Sequence, residues 1–227
     1  MKVALLGATG MVGGAALLEC LDDDRVTAVL SISRRSCGVR HPKLAEALAD
    51  DLFRLEAVRP ALSDVDACFF CLGVSAVGMT EAAYTRVTHD LTLSVARDLL
   101  AAGARPVFCY VSGAGTDATG RGRSMWARVK GRTENDLLAL PFRAAYMLRP
   151  AFIQPLRGVR SKTPLYQAFY TALAPLAAVL PRLLPGLATT SVALGRALIG
   201  LAADGYPRPI LESRDINRLG AEERRAA

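Results

Sequence analysis

Residues 1–20 read MKVALLGATGMVGGAALLEC. The apolar run Val3–Leu6 meets three glycines, Gly7, Gly10 and Gly13, and passes into a helix-like segment over residues 10–21. At a strand-to-helix turn the helix amides converge and the macrodipole is positive, so an anion is favoured there. Gly7 permits the tight turn, Gly10 lets the backbone touch a pyrophosphate, and Gly13 lets the helix pack closely on the sheet. Three glycines alone are a weak signal. As the first turn of a βαβ unit they read as a dinucleotide-binding loop.

The chain downstream supplies that context. TAVLSISRR (27–35) reads as the second strand. LAEALADD (44–51) holds either a short third strand or, from its alanines and leucines, a helix. DACFFCLG (66–73) is the fourth strand. Thr80 caps a long helix with Ala83, Val87, Leu91, Val95 and Leu99 on one stripe, and Gly103 ends it. PVFCYVSG (106–113) is the fifth strand, SMWARVKGRTENDLLAL (124–140) a helix stopped by Pro141, and AAYMLRP (144–150) the sixth strand, ended by Pro150. Strands that are apolar on both faces and alternate with helices predict an α/β fold, a doubly wound parallel sheet of the Rossmann type.

The 227 residues suit one NAD(P)-binding domain over 1–227, with a small, mainly helical substrate lobe inserted at 154–190. Within that lobe no charged residue occurs from Thr163 to Pro181, and Arg157, Arg160 and Lys162 precede the run. Pro164, Pro175 and Pro181 interrupt it, and Tyr166, Gln167, Tyr170 and Thr171 dilute it. It reads as short helices roofing an apolar pocket rather than as a membrane span, with weak contact to a membrane surface allowed.

Composition narrows the partners. With 52% hydrophobic and 22% charged residues the chain is globular, and its net charge of +7 favours anionic partners. The arginines are dispersed without an aromatic–basic stripe, so nucleic acid is not expected. The first apolar run is broken at once by Gly7-Ala8-Thr9-Gly10, which excludes a secretory signal, and five cysteines suit reduced thiols. Together these predict a cytoplasmic protein. Cys68 and Cys71 lie three apart on a strand and so face opposite ways, which reads as buried thiols rather than a metal or redox pair. No metal is expected.

The end of the second strand refines the ligand. A cofactor with a free ribose hydroxyl usually meets an Asp or Glu there. This chain has Ser33-Arg34-Arg35, and two guanidinium groups suit a phosphate. NADP(H) is therefore favoured over NAD(H).

The chain resembles the atypical short-chain dehydrogenase/reductase superfamily, on the branch with NmrA-like and Tat-interacting-protein-like proteins and bacterial NAD(P)-binding epimerase-like proteins. The resemblance spans nearly the whole chain and rests on the order of GATGMVGG, SRR, Asp51-Leu52, CLGVS, YVSGAGTD, ARVKGRTE, LRPAFIQP and ILESRDINRLG. It implies that Gly7, Thr9, Gly10, Met11, Val12 and Gly13 line the pyrophosphate, and that Ser33, Arg34 and Arg35 hold the adenosine ribose and its phosphate. Asp51 and Leu52 would flank the adenine, with Asp50 the alternative register. Leu72, Gly73 and Val74 would lie under the cofactor, Lys130 on the nicotinamide ribose, and Pro150, Ala151 and Phe152 near the nicotinamide.

The same resemblance implies a catalytic Tyr-x-x-x-Lys with an upstream serine. Here the pair is Trp126 and Lys130, with Ser112 upstream. An indole N–H donates a hydrogen bond but does not shuttle a proton at ordinary pH. Tyr84, Ser112, Tyr166 or a water would then replace the missing phenol. Two readings follow. One is an NADP(H)-dependent oxidoreductase or epimerase-like enzyme with an altered site at Lys130, Ser112 and Trp126, acting on an unknown apolar small molecule. The other is a catalytically weak NADP(H)-binding redox sensor or interaction module. The helix after Thr80 and the helix carrying Lys130 would offer a homodimer interface.

Overall fold

The computed structural model describes residues 1–158 and 186–226. β1 (Lys2–Leu6) leads into α1 (Met11–Asp22), and β2 (Ala28–Ser33), β3 (Leu44–Leu48) and β4 (Ala67–Phe70) follow. A helical run then holds α2 (Glu81–Thr85), a π turn (Arg86–Asp90) and α3 (Leu91–Ala101). Next come β5 (Val107–Val111), α4 (Met125–Leu138), β6 (Ala144–Arg149) and β7 (Phe152–Gln154). Beyond residues 159–185 lie β8 (Ala188–Thr190), α5 (Ser191–Ala203), β9 (Ile210–Glu212) and α6 (Ser213–Ala226). The substrate-lobe expectation falls mostly on 159–185, outside the described residues, as does Tyr166. Its two flanks, β7 and β8, pair in parallel as a separate two-stranded sheet.

Seven strands form one parallel sheet in the order β3-β2-β1-β4-β5-β6-β9. The α/β doubly wound architecture read from the alternation is present. Parallel strands buried on both faces need apolar side chains at successive positions. β1 and β4 meet this with Val3–Leu6 and Ala67–Phe70, all buried. One face packs Val3, Leu5 and Phe69 against α1, α5 and α6, through Leu17, Leu198 and Leu219 among others. The opposite face packs Ala4, Leu6 and Phe70 against Leu62, Leu99 and Leu137. Among the described residues no helix is long and apolar enough to cross a membrane.

Two local readings change. The ambiguous segment 44–51 holds an edge strand, β3, paired with β2 from Val29↔Leu44 to Ser33↔Leu48. The helix capped by Thr80 is not regular. The Thr80 hydroxyl accepts from the Ala83 amide at 3.2 Å, as expected, but the π turn widens the helix after Thr85. Tyr84, Thr88 and Thr92 are buried ahead of Val95 and Leu99, while Ala83 of the expected stripe is exposed. A wide turn rotates the side chains that precede it relative to those that follow, so one straight stripe cannot describe both parts.

Candidate functional site

The strand order reverses between β1 and β4: β1 connects outward to β2, and β4 outward to β5. Ligands of open α/β sheets bind beyond the carboxyl ends of the strands at such a switch point. Gly7 leaves β1 at φ +94°, and a Cβ on it would lie 2.8 Å from the Cys71 carbonyl carbon and oxygen at the end of β4. A Cβ on Gly13 would lie 2.2 Å from the Gly7 oxygen, and one on Gly10 3.3 Å from it. The Gly10 amide donates to the Gly7 oxygen at 2.8 Å, closing the turn. Met11 and Val12 open α1, half-buried beside half-buried Thr9. No side chain caps this helix, and its first turn carries no acidic residue. Bare backbone, an uncapped positive helix end and the lack of a competing carboxylate together fit a pyrophosphate.

Because the strands are parallel, the ends of β2 to β6 lie along the same sheet edge as this loop. Ser33 closes β2, buried, its Oγ donating to the Arg35 carbonyl at 2.6 Å. Arg34 and Arg35 are exposed, and neither forms an ion pair among the described residues. Asp51 follows β3, with Oδ1 accepting from the Phe53 amide at 2.9 Å. Its neighbour Leu52 turns into the core beside Leu55 and Leu62 instead of facing outward. Leu72, Gly73 and Val74 follow β4; Leu72 is half-buried, Gly73 is open on its Cβ side, and Val74 is 50% exposed.

The second half of the site lies at the ends of β5 and β6. Lys130 Nζ donates to the Ser112 carbonyl at 2.9 Å and stands 5.6 Å from the centre of the Tyr110 ring. Burial pulls its ammonium down to about 8, opposed by the charge of Glu134 one turn along α4. Ser112 Oγ is buried 3.0 Å from Thr116 Oγ1, and Thr116 Oγ1 donates to the Gly113 carbonyl at 2.7 Å. The Thr116 proton is thereby spent, so the Ser112 hydroxyl donates to Thr116. Trp126 is half-buried, its six-membered ring 3.9 Å and 3.6 Å from the Cβ positions that Gly113 and Gly115 lack. The Ala114 amide donates to the Pro150 carbonyl at 2.9 Å, which ties this loop to the end of β6. Pro150 is buried, Ala151 is exposed with its amide on Ser213 Oγ at 2.9 Å, and Phe152 starts β7.

Tyr84, one of the candidates to replace the phenol, is buried. It is 2% exposed, inside the core at the start of the helical run. Two supports were missed in the sequence. Thr116, four residues after Ser112, completes the hydroxyl pair. Glu134, fully buried, is gripped by Arg149 of β6 through Nε at 3.0 Å and Nη2 at 2.5 Å. Its place one turn after Lys130 was the available signal. Cys68 lies in the core, and burial pushes the Cys71 thiol up to about 12.

No family model matches the chain. It is 32% identical to the protein fmp52, mitochondrial, of Aspergillus fumigatus, over 98% of this chain and 99% of that one. Among solved structures it is similar to an oxidoreductase of the short-chain dehydrogenase/reductase family from Burkholderia thailandensis. That match has a TM-score of 0.68 and 17% identity, over 100% of this chain and 97% of that one. It is also similar to the Bordetella bronchiseptica enzyme WbmF in complex with NAD+, with a TM-score of 0.66 and 15% identity, over 97% of this chain and 77% of that one. At these identities the solved structures show the fold, which is the Rossmann-type fold of short-chain dehydrogenases. The expectation of a cytoplasmic protein does not stand, because relatives matched over nearly their full length are named mitochondrial proteins. An early glycine interruption carries no information about organelle import.

Proposed function

The chain belongs to the Fmp52 family, and from its glycine loop we propose that it is an NADP(H)-dependent oxidoreductase with epimerase-like architecture, acting on an apolar small molecule. The observation that carries this is the cradle at Gly7, Gly10 and Gly13, where added Cβ atoms at Gly7 and Gly13 would overlap backbone. When bound, the reduced nicotinamide supplies the hydride. The α1 amides would hold the pyrophosphate, Lys130 would donate to the nicotinamide ribose, and Arg34 and Arg35 would grip the adenosine phosphate. Exposed Val74 and Val77, 50% and 79% open on the loop after β4, support an apolar substrate. The order of its sequence segments supports a place on the NmrA-like and Tat-interacting-protein-like branch.

Calorimetric titration tests the cofactor. NADPH is expected to bind more tightly than NADH. Changing both Arg34 and Arg35 to Ala is expected to cost about 1–3 kcal/mol toward NADPH and little toward NADH. Equal affinities in the unaltered protein overturn the preference. One observation favours a second reading, an NADP(H)-binding redox sensor or interaction module without turnover: Trp126 holds the position where a phenol would transfer the proton. NADPH oxidation measured across a panel of carbonyl compounds separates the two.

A further inference from the structure

The groups that surround Lys130 restrict what can react beside it. Ser112 and Thr116 direct their protons inward, Ser112 to Thr116 and Thr116 to Gly113. The phenols of Tyr84 and Tyr110 are buried, 2% and 1% exposed, and burial raises the ionisation of Tyr110 well above the usual range. At the end of β5 the Lys130 ammonium places one of its protons on the Ser112 carbonyl. Trp126, one helical turn earlier, lays an indole over the Gly113–Gly115 backbone. Among the described residues its ring pairs with no other aromatic ring and its N–H finds no acceptor. The described part of the site therefore offers a flat apolar wall and one ammonium, the acid at hand there.

An isolated ketone makes little use of such a wall and depends wholly on the ammonium. Its reduction builds charge on an alkoxide, which needs a positioned acid. A quinone differs. Its reduction builds charge on a phenolic oxygen spread over a newly aromatic ring, and a phenol ionises at about 10, as tyrosine does. Water can complete that protonation late, and a nearby cation suffices to hold the anion meanwhile. A planar ring also suits an indole wall, since offset-stacked aromatic rings attract beyond their buried area.

Resting on the oxidoreductase reading above, we propose that the substrate class is a planar conjugated dicarbonyl, a quinone, seated against Trp126 with one oxygen toward Lys130. The quinone takes up a hydride with its electron pair from the reduced nicotinamide and a proton from water, and leaves as the hydroquinone; the nicotinamide is oxidised. Trp126 and Lys130 bind and orient, and Lys130 offsets the developing charge.

Trp126 is the sole tryptophan of the chain, so its emission reports the site without turnover. Protein loaded with NADP+ is titrated with 9,10-phenanthrenequinone, and binding is followed by quenching and by calorimetry. Saturable quenching is expected, with affinity reduced on the order of tenfold in Trp126→Ala, by calorimetry, and largely retained in Trp126→Phe. NADPH affinity should stay unchanged in both variants, which also shows that they fold. In turnover, the quinone should outpace acetophenone. Linear, unsaturable quenching, equal calorimetric affinity in all three proteins, or acetophenone reduced as fast as the quinone overturns the substrate class while leaving the cofactor reading intact. Failure of the unaltered protein to bind NADPH overturns the oxidoreductase reading, and this proposal with it.

Discussion

If Lys130 holds the cofactor as proposed, it couples cofactor binding to pH. Burial favours its neutral form, so its proton leaves near pH 8 rather than 10.5. The protonated amine is the form that attracts a polyphosphate. NADPH affinity is therefore expected to be flat below pH 7 and to fall as pH passes about 8; in Lys130→Arg, which stays charged, calorimetry should show no such fall. The same shift bears on stability with a definite sign. The folded form binds the proton less well than the unfolded chain, so this group adds stability as pH rises from about 8 toward 10.5. The glycines were legible in the sequence because they answer a local demand, room for backbone. Leu52 was not. Whether a leucine beside an aspartate turns inward depends on the core beneath it, here Leu55 and Leu62, and no local pattern reports that. The Ser112–Thr116 bond was equally hidden, because a hydroxyl's partner is set by the turn that joins the two residues.

At the scale of elements, α4 is held to the sheet by a buried ion pair as well as by apolar packing. Glu134 is fully buried and Arg149 nearly so. Breaking such a pair leaves an uncompensated charge, and Glu134→Ala is expected to cost about 3–5 kcal/mol in urea unfolding. Lys130 should then shift further toward its neutral form, since Glu134 is the charge that opposes its desolvation. The central strands were readable because parallel strands covered on both faces are continuous apolar runs. β3 was ambiguous for the converse reason. As an edge strand it is only partly covered, with Ala45, Glu46 and Leu48 exposed, so it carries neither an apolar run nor a clean alternation. The π turn was beyond reach of the pattern. Thr88 and Thr92 are buried, Thr92 Oγ1 donating to the Thr88 carbonyl within the helix, and a count of apolar positions passes over them.

At the scale of the molecule, every neighbour in the sheet is remote along the chain, as parallel pairing requires. The last link is one of the two longest. β9 joins β6 through Met147↔Ile210 to Arg149↔Glu212, and the Met147 amide donates to the Pro209 carbonyl at 2.7 Å. Arg149, which carries the grip on Glu134, thus sits on a strand whose outer edge is closed only by the final tenth of the protein. On the ribosome, chain growth is directional. β1 to β6 emerge first, and the outer edge of β6 stays open while some sixty further residues are made. Open parallel edges template pairing with other chains, so the nascent protein passes through an interval in which association between copies competes with completion. A chain stopped at Arg208 would hold that interval permanently. It also lacks Leu211, Ile216 and Leu219 of the core, and a larger share of it than of the full chain is expected in the insoluble fraction after expression. Slowing translation after β6 should raise the aggregated share of the full-length protein, and slowing it before β4 should not.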